Sequence, residues 1–542
     1  MSAKKTKNNF LIQGSILAIA AIFVRLIGVI YRIPLTNIIG DEGISTYANA
    51  YNAYSIILIV SSYSLPLAIS KNISVRLDNK EYKNADRIFK ASLLYAVVVG
   101  GLAAILCYVF APSIAPNASS VLPLRLLAPT IFLSAVLSVF RGYFQGHQTM
   151  IPTSISQIIE QIINAVISVL AAYLLVRSFK AAKDYDNVSI YGAAGGVLGT
   201  GAGVVAGLLF MLFVFLLYRK IRIKKIKRDK TTDILSYGMI FRILIITVTP
   251  VILGAVLNNC TNYIENKMFF SITSNLGYDE TLVKQMHGVY AGKYSIFVSL
   301  PTGIATALAS SMIPTVSVSF AKNDLTETRK KAGAVIKFVS MIALPCMVGM
   351  AVLAGPVMQL IFHDSSKLAS NLLLFGSSTI IVYSLSSITT SVLQGIDRLF
   401  VPMKHCAISL VLYVLTTYIV LRYFEWSVYG LIVSMFIFGA NNTILNFIAL
   451  KKYLNYKQEK KNTFVVPLVS SVGMGIMVFG IYQLSFLAFH SNLVSVILSI
   501  LVGIVTYFVL ILLLGGLSEQ EISDFPKGRK IVSVCKKIGL LS

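Results

Sequence analysis

The chain has 542 residues, of which 56% are hydrophobic and 13% charged, and its mean hydropathy is +0.77. A soluble globular chain carries about 45–50% apolar and about 25% charged residues, so a soluble enzyme, a disordered chain and a coiled coil are excluded and the surplus apolar surface must face lipid. The net charge of +25 fits basic loops on one side of a many-pass membrane protein rather than a nucleic-acid-binding domain, because no stretch between the apolar segments is long enough to form one.

The five cysteines are scattered, with no Cys-x-x-Cys and no Cys/His cluster, which excludes a disulfide framework and a zinc site. The five histidines show no metal-binding spacing, and neither a phosphate-binding loop motif nor a nucleophile elbow occurs. No metal and no cofactor are expected.

A helix needs about 20 apolar residues to cross the hydrocarbon of a bilayer. Fourteen segments satisfy this, at about 10–31, 47–70, 91–111, 121–141, 152–176, 190–218, 238–263, 290–319, 335–354, 368–393, 405–421, 428–450, 464–484 and 492–515. They are called spans one to fourteen. Span one follows Lys4, Lys5 and Lys7 but is interrupted by Arg25 and exceeds a signal-peptide core, so it reads as a retained helix. It ends in Arg32, seven residues after Arg25 and on roughly the same helical face, with Gly28 between them. Two arginines on one face form a cationic patch suited to an anionic group such as a diphosphate, since the guanidinium fork binds phosphate oxygens in pairs and stays charged. The alternative is snorkelling of Arg32 and an internal salt bridge for Arg25.

Span four is followed by Gln145-Gly146, a tight approach that marks Gly146 as a gate or hinge. Span five carries Gln157, Glu160, Gln161 and Asn164 on one stripe, which reads either as cavity lining or as interhelical hydrogen bonding. Span six holds Gly195, Gly199, Gly203 and Gly207 at every fourth position, a helix-packing pattern. The basic stretch Arg219–Lys230 then divides the chain. Span seven has Asn258, Asn259, Asn262 and Glu265 at similar spacing, and Lys293 begins span eight. Span ten ends in Gln394-Gly395, which makes Gly395 the counterpart of Gly146. Pro66, Pro250, Pro301 and Pro345 are ordinary bends of membrane helices.

With the N-terminus inside, and with Arg141 and Lys337 at the inner edges of their spans counted with the inner side, 35 of the 47 Lys and Arg fall on the inner side, eight outside and four within spans. That bias supports fourteen spans with both ends cytoplasmic. Residues 73–87 (ISVRLDNKEYKNADR) resemble 316–330 (VSVSFAKNDLTETRK), and Gln145-Gly146 followed by Pro152 matches Gln394-Gly395 followed by Pro402. Spans 1–6 and 7–12 therefore read as parallel repeats enclosing a central cavity. The expected fold class is an all-α integral membrane protein with two six-helix halves plus spans 13 and 14. Its divisions are an N-terminal lobe 1–218, a linker 219–235, a C-terminal lobe 236–450, the last two spans within 451–515 and a cytoplasmic tail 516–542.

The stretch Arg141 to Gln161 (RGYFQGHQTMIPTSISQIIEQ) strongly resembles the helix 4–5 junction of the MurJ/SpoVB/YtgP group of bacterial polyprenyl-lipid flippases. Arg25 to Gly40, Leu65 to Ser74 and Leu300 to Asp324 resemble the same group, and the likeness covers nearly the whole chain. It implies membership of the multidrug/oligosaccharidyl-lipid/polysaccharide (MOP) exporter superfamily, with its MATE-like fold. The implied activity is carriage of lipid II, an undecaprenyl-diphosphate-linked saccharide, from the inner to the outer leaflet in peptidoglycan synthesis. The resemblance places Arg25 and Arg32 in an essential cationic cavity, with Lys293 as a further basic member. The better-known family pattern sets the second arginine six residues after the first and follows it with Asp; here the spacing is seven and Ile33 follows.

The expected protein is a plasma-membrane transporter, not an enzyme. It works as a monomer on a lipid-linked saccharide among membrane lipids, without nucleic acid, and a coupling ion or the membrane potential would drive it. Gln157, Glu160, Asn164, Asn262 and Glu265 are its expected polar cavity residues. The alternatives are export of a capsule, teichoic or spore-cortex saccharide and, further off, cation-coupled drug export or glycosyl transfer.

Overall fold

The structure is a computed structural model that describes residues 20 and 22–519 together with Glu521, Val532, Ser533 and Lys536; at 63, 250, 251, 258 and 308–315 only the backbone is described. Among the described residues every regular element is helical. Hydrocarbon offers no partner for backbone N–H and C=O groups, so apolar runs of this length close their hydrogen bonds internally. Twelve helices among the described residues are long and apolar enough to cross a membrane. They correspond to spans two to seven and nine to fourteen. Span one lies partly outside the described residues, and span eight contains the stretch described by backbone alone, within the continuous helix Ser295–Ala321. Most of the expected tail 516–542 also lies outside the described residues.

The chain gathers into two compact units, Met1–Gly292 and Lys293–Ser542. In the first, spans two (ending in Leu65–Asp78), three (Tyr82–Val109) and four (Val121–Gly146) share a core with spans six and seven, containing Ile69, Ile73, Phe89, Phe140, Tyr143 and Leu244. In the second, spans nine (Leu325–Val352), ten (ending in Thr379–Gly395) and twelve (Ser427–Leu454) bury Ile336, Val339, Ile388, Val392 and Leu450.

The expected boundary of span one is corrected. The sequence reading ends it at Arg32, but helix continues through Arg32–Leu58 with its only break at Gly40 (φ 71°, ψ 178°), a conformation that favours glycine. Pro34, Asn37, Asp41 and Glu42 lower the local hydropathy without stopping the helix. Arg32 therefore sits eight residues before the turn, about two helical turns inside span one. Span four is likewise longer than expected and ends at Gly146, which puts Arg141 inside the helix.

The glycines of span six (Tyr185–Lys227) pack against span five (Ile151–Ala181). A Cβ at Gly195 would lie 2.6 Å from the Ala172 nitrogen, one at Gly203 would lie 2.5 Å from the Glu160 carbonyl oxygen, and one at Gly199 would overlap Ser168. The Ser168 hydroxyl donates to the Gly196 carbonyl at 2.6 Å across the same seam.

Local backbone conformation repeats between the two motif pairs. Lys80 and Asn323 hold positive φ of 62° and 57° at matching motif positions. The Glu81 amide donates to the Arg76 carbonyl at 2.8 Å, and the Asp324 amide to the Ser319 carbonyl at 3.1 Å. After the Gln-Gly pairs, Gln148 and Asp397 hold φ of 56° and 60°, and the Thr149 and Arg398 amides close matching turns onto Phe144 and Leu393. Each Gln-Gly end also meets its own unit's first motif. A Cβ on Gly146 would come within 2.8 Å of Ile73, and the Ser317 hydroxyl donates to the Gly395 carbonyl at 2.9 Å.

Loops expected on the same side of the membrane are joined in the first unit. The Lys83 amide donates to Asp229 at 2.6 Å, and Asn84 donates to the Asp233 carbonyl and accepts from the Leu235 amide. The opposing cost of burial notwithstanding, the Thr231 hydroxyl and amide and the Lys83 amide hold the Asp229 carboxyl below its usual range. At the other end, Tyr263 and Lys267 donate to the Ile114 and Ser113 carbonyls at 2.8 and 3.0 Å.

Candidate functional site

Arg32 is half-buried among tyrosines. Its guanidinium hydrogen-bonds Tyr31, and the Tyr47 and Tyr51 phenols lie close enough to act on its charge; among the described residues no carboxylate does so. Tyr47, Tyr51 and Tyr54 recur at helical spacing on span two, so their rings follow one another at 5.8 and 5.7 Å between centroids. The Tyr31 and Tyr47 hydroxyls are 3.3 Å apart. Glu160 of span five lies near Tyr51 and Tyr54, so a polar line runs from Arg32 along the tyrosines to span five.

Glu160 is ion-paired there with Arg141 of span four at 2.6 Å, and Arg141 also donates to the Ser156 hydroxyl at 2.9 and 2.6 Å. Sequence reasoning missed Arg141, which it counted as a charge at the inner end of span four. The available signal was its position at the head of the RGYFQG motif. The rest of the span-five stripe divides among neighbours. Gln161 faces span one, its amide nitrogen 3.2 Å from where a Gly28 Cβ would stand. Asn164 accepts from Ser168 at 3.0 Å, and Gln157 is half-buried. Arg25 is exposed on span one and engaged in an interaction of its own.

On span seven (Tyr237–Asn275), Glu265 is buried and engaged, whereas Asn262 is exposed, so the expected stripe is not one environment. Lys293 is only 7% exposed and is ion-paired at 2.6 Å with Asp364, from the loop after span nine. Burial works to raise the Asp364 pKa, but the Lys293 ammonium and the Ser366 amide and hydroxyl together hold it below the usual carboxylate range. Lys293 is thus paired with a carboxylate, whereas among the described residues no ion pair to Arg32 occurs. Gly146 and Gly395 each lie in a close approach inside one unit, as described above.

A second buried polar group, inside the first unit, joins spans two and seven to the helix Glu280–Gly288 that precedes span eight. The Ser45 hydroxyl is 2.9 Å from His287 Nδ1, and His287 Nε2 donates to Asn266 Oδ1 at 3.0 Å. Phe269, Phe270 and Tyr290 enclose the ring at 5.8, 5.1 and 6.2 Å. Beside it, Gln285 donates to Glu42 at 3.0 Å, and a Cβ on Gly288 would overlap the Asp41 carbonyl. One donor and one acceptor are what a neutral imidazole offers. Burial pushes the His287 pKa down to about 3. The unfolded chain takes up this proton near pH 6.5 and the folded protein only near pH 3, so stability is full above about 6.5 and falls as pH drops below it. Between pH 7.5 and 5 the melting temperature of purified protein should decline by the equivalent of about 2 kcal/mol from this group, and His287→Gln should flatten that decline. An unchanged slope in the variant would assign the pH dependence elsewhere.

A family profile described as polysaccharide biosynthesis protein matches residues 11–320. The lipid II flippase MurJ of Bacillus subtilis (strain 168) is 23% identical over 496 residues, 88% of each chain. Stage V sporulation protein B of the same organism is 25% identical over 320 residues, 57% of this chain and 58% of that protein. Among solved structures, a lipid II flippase MurJ in an inward closed conformation superposes with a TM-score of 0.63 at 15% identity, covering 91% of this chain and 97% of that one. An inward-facing multidrug resistance MATE family transporter of the MOP superfamily gives 0.62 at 15% identity, over 79% and 98%. The structural likenesses establish the fold, and the profile covers more than half the sequence: the chain is a multi-pass membrane protein with the MOP-superfamily fold and belongs to the polysaccharide biosynthesis protein family.

Proposed function

We propose that this protein carries a polyprenyl-diphosphate-linked saccharide, lipid II before others, from the inner to the outer leaflet by alternating access. The observation that carries the reading is Arg32: a guanidinium inside span one, surrounded by tyrosine hydroxyls, with no carboxylate among the described residues that act on it. A charged headgroup cannot be left in hydrocarbon. A paired-donor cation with phenols about it replaces part of its hydration. The similarity to a lipid II flippase over 88% of the chain supports this cargo class.

Arg32 contacts the diphosphate, Arg25 assists from about two helical turns away on the same face, and Lys293 acts through its pair with Asp364. The two six-span repeats expose the site to one leaflet and then the other, with Gly146 and Gly395 as pivots. Both chain ends are cytoplasmic. No cofactor takes part, and the membrane potential, worth about 2.3 kcal/mol per charge per 100 mV, resets the empty cationic helix. A second reading keeps the cycle but changes the saccharide, as the similarity to stage V sporulation protein B suggests. Reconstituted protein competed with a panel of lipid-linked saccharides decides between them. Lipid II should compete at the lowest concentration, and a capsule or teichoic precursor that competes better overturns the lipid II assignment.

A further inference from the structure

Span six is much longer than a membrane requires. Its 43 residues, Tyr185–Lys227, extend about 64 Å at about 1.5 Å per residue, against about 30 Å of hydrocarbon. The surplus is its basic end. Arg219–Lys230 contains eight cations and a single carboxylate, Asp229.

The two faces of this end differ. One face packs inward. Arg222 pairs with Asp86 of span three, with Nε at 2.7 Å, and stacks over Phe215 at 4.8 Å. Lys225 donates to Tyr218 at 3.1 Å and lies over the Tyr82 ring at 5.7 Å. Among the described residues nothing packs on the other face: Lys220, Lys224, Lys227 and Arg228 are exposed there, and Arg219 and Lys230 are exposed beside it. Leu217, Lys220, Ile221, Lys224 and Arg228 follow one another at helical spacing on that face. Leu217 is 66% and Ile221 51% exposed, so the apolar surface of the span runs directly into the cations.

We infer that this outer face of span six, centred on Lys220, Lys224 and Arg228, binds the phosphate headgroups of anionic phospholipids in the leaflet where the helix emerges. Leu217 and Ile221 lie against the acyl chains. Lys220 and Lys224 rise about 5–10 Å past Leu217, the depth of the headgroup layer, and Arg228 lies one turn beyond. Charge complementarity and depth both select a lipid over a soluble anion, because the apolar residues of the same face need acyl chains to cover them. Arg222 and Lys225, held on the packed face, fix the rotation of the helix and so the direction in which the exposed cations leave it. This proposal is independent of the transported cargo.

The test measures retention of phosphatidylglycerol against phosphatidylcholine on the purified full-length protein by native mass spectrometry. Wild type should prefer phosphatidylglycerol. Lys220→Gln/Lys224→Gln/Arg228→Gln should weaken that binding about fivefold per charge, about a hundredfold in total, with melting temperature unchanged. Arg222→Gln, on the packed face, should lower the melting temperature and leave lipid preference intact. A triple variant that retains phosphatidylglycerol as wild type does would overturn the site. So would an equal loss from Arg177→Gln/Lys180→Gln/Lys183→Gln, three exposed cations at the opposite end of the helix pair beside Asp184 and Asp186, since binding would then follow total charge rather than position.

Discussion

Arg141→Ala should destabilise the protein by about 3–5 kcal/mol, the usual penalty for leaving one member of a buried ion pair uncompensated. The pair is 2.6 Å long, and its side chains are 13% and 29% exposed, so solvent screens it only partly. Glu160 also stands beside Tyr51 and Tyr54, which offer no positive charge to replace the guanidinium. The expected readout is a large fall in melting temperature and in the monodisperse fraction after purification. Adding Glu160→Gln to Arg141→Ala should restore most of the loss, because the remaining partner is then neutral. Wild-type stability of both single variants would remove the pair from any structural role. Full stability of the double variant without transport would instead mark the charges as working groups.

Arg32→Ala should abolish complementation of a flippase-depleted bacterium while expression and membrane insertion are unaffected, since removing a charge from a membrane helix does not hinder insertion. Two charge-assisted hydrogen bonds to a diphosphate, each about 1.5–3 kcal/mol, correspond to a loss of about a hundredfold or more. Arg32→Lys should retain part of the activity, because it keeps the charge and loses the planar fork. Arg25→Ala should cost less than Arg32→Ala, since Arg25 is exposed on the helix and Arg32 half-buried among phenols. Full growth with both arginines replaced by alanine would sink the cationic site.

The features set by local chemistry were legible in the sequence. Apolar run length located the twelve long apolar helices found among the described residues, and glycine at every fourth position marked a packing face on span six, which meets span five where a Cβ on Gly203 would stand 2.5 Å from a carbonyl oxygen. The internal repeat was readable in the likeness of residues 73–87 to 316–330 and in the two Gln-Gly pairs, and the backbone repeats with it, with positive φ at Lys80 and Asn323 and again at Gln148 and Asp397. What was not legible depends on partners distant in sequence. Polar residues around Gly40 lower hydropathy as a loop would, so the helical surroundings of Arg32 looked like a connection. Glu160 and Lys293 were recognised as charges in a membrane, but helical spacing does not reveal that Arg141 or Asp364 stands opposite. The Ser45–His287–Asn266 group joins three helices through residues that are unremarkable in composition.

The central claim is tested most directly with purified protein in liposomes that contain lipid II in both leaflets. An impermeant reagent that modifies the exposed headgroup should consume about half of the lipid II in protein-free vesicles. With wild-type protein it should consume nearly all, and with Arg32→Ala it should return to the protein-free level. Modification that stays at the protein-free level with correctly folded wild-type protein, or that is equally complete with Arg32→Ala, would contradict the account.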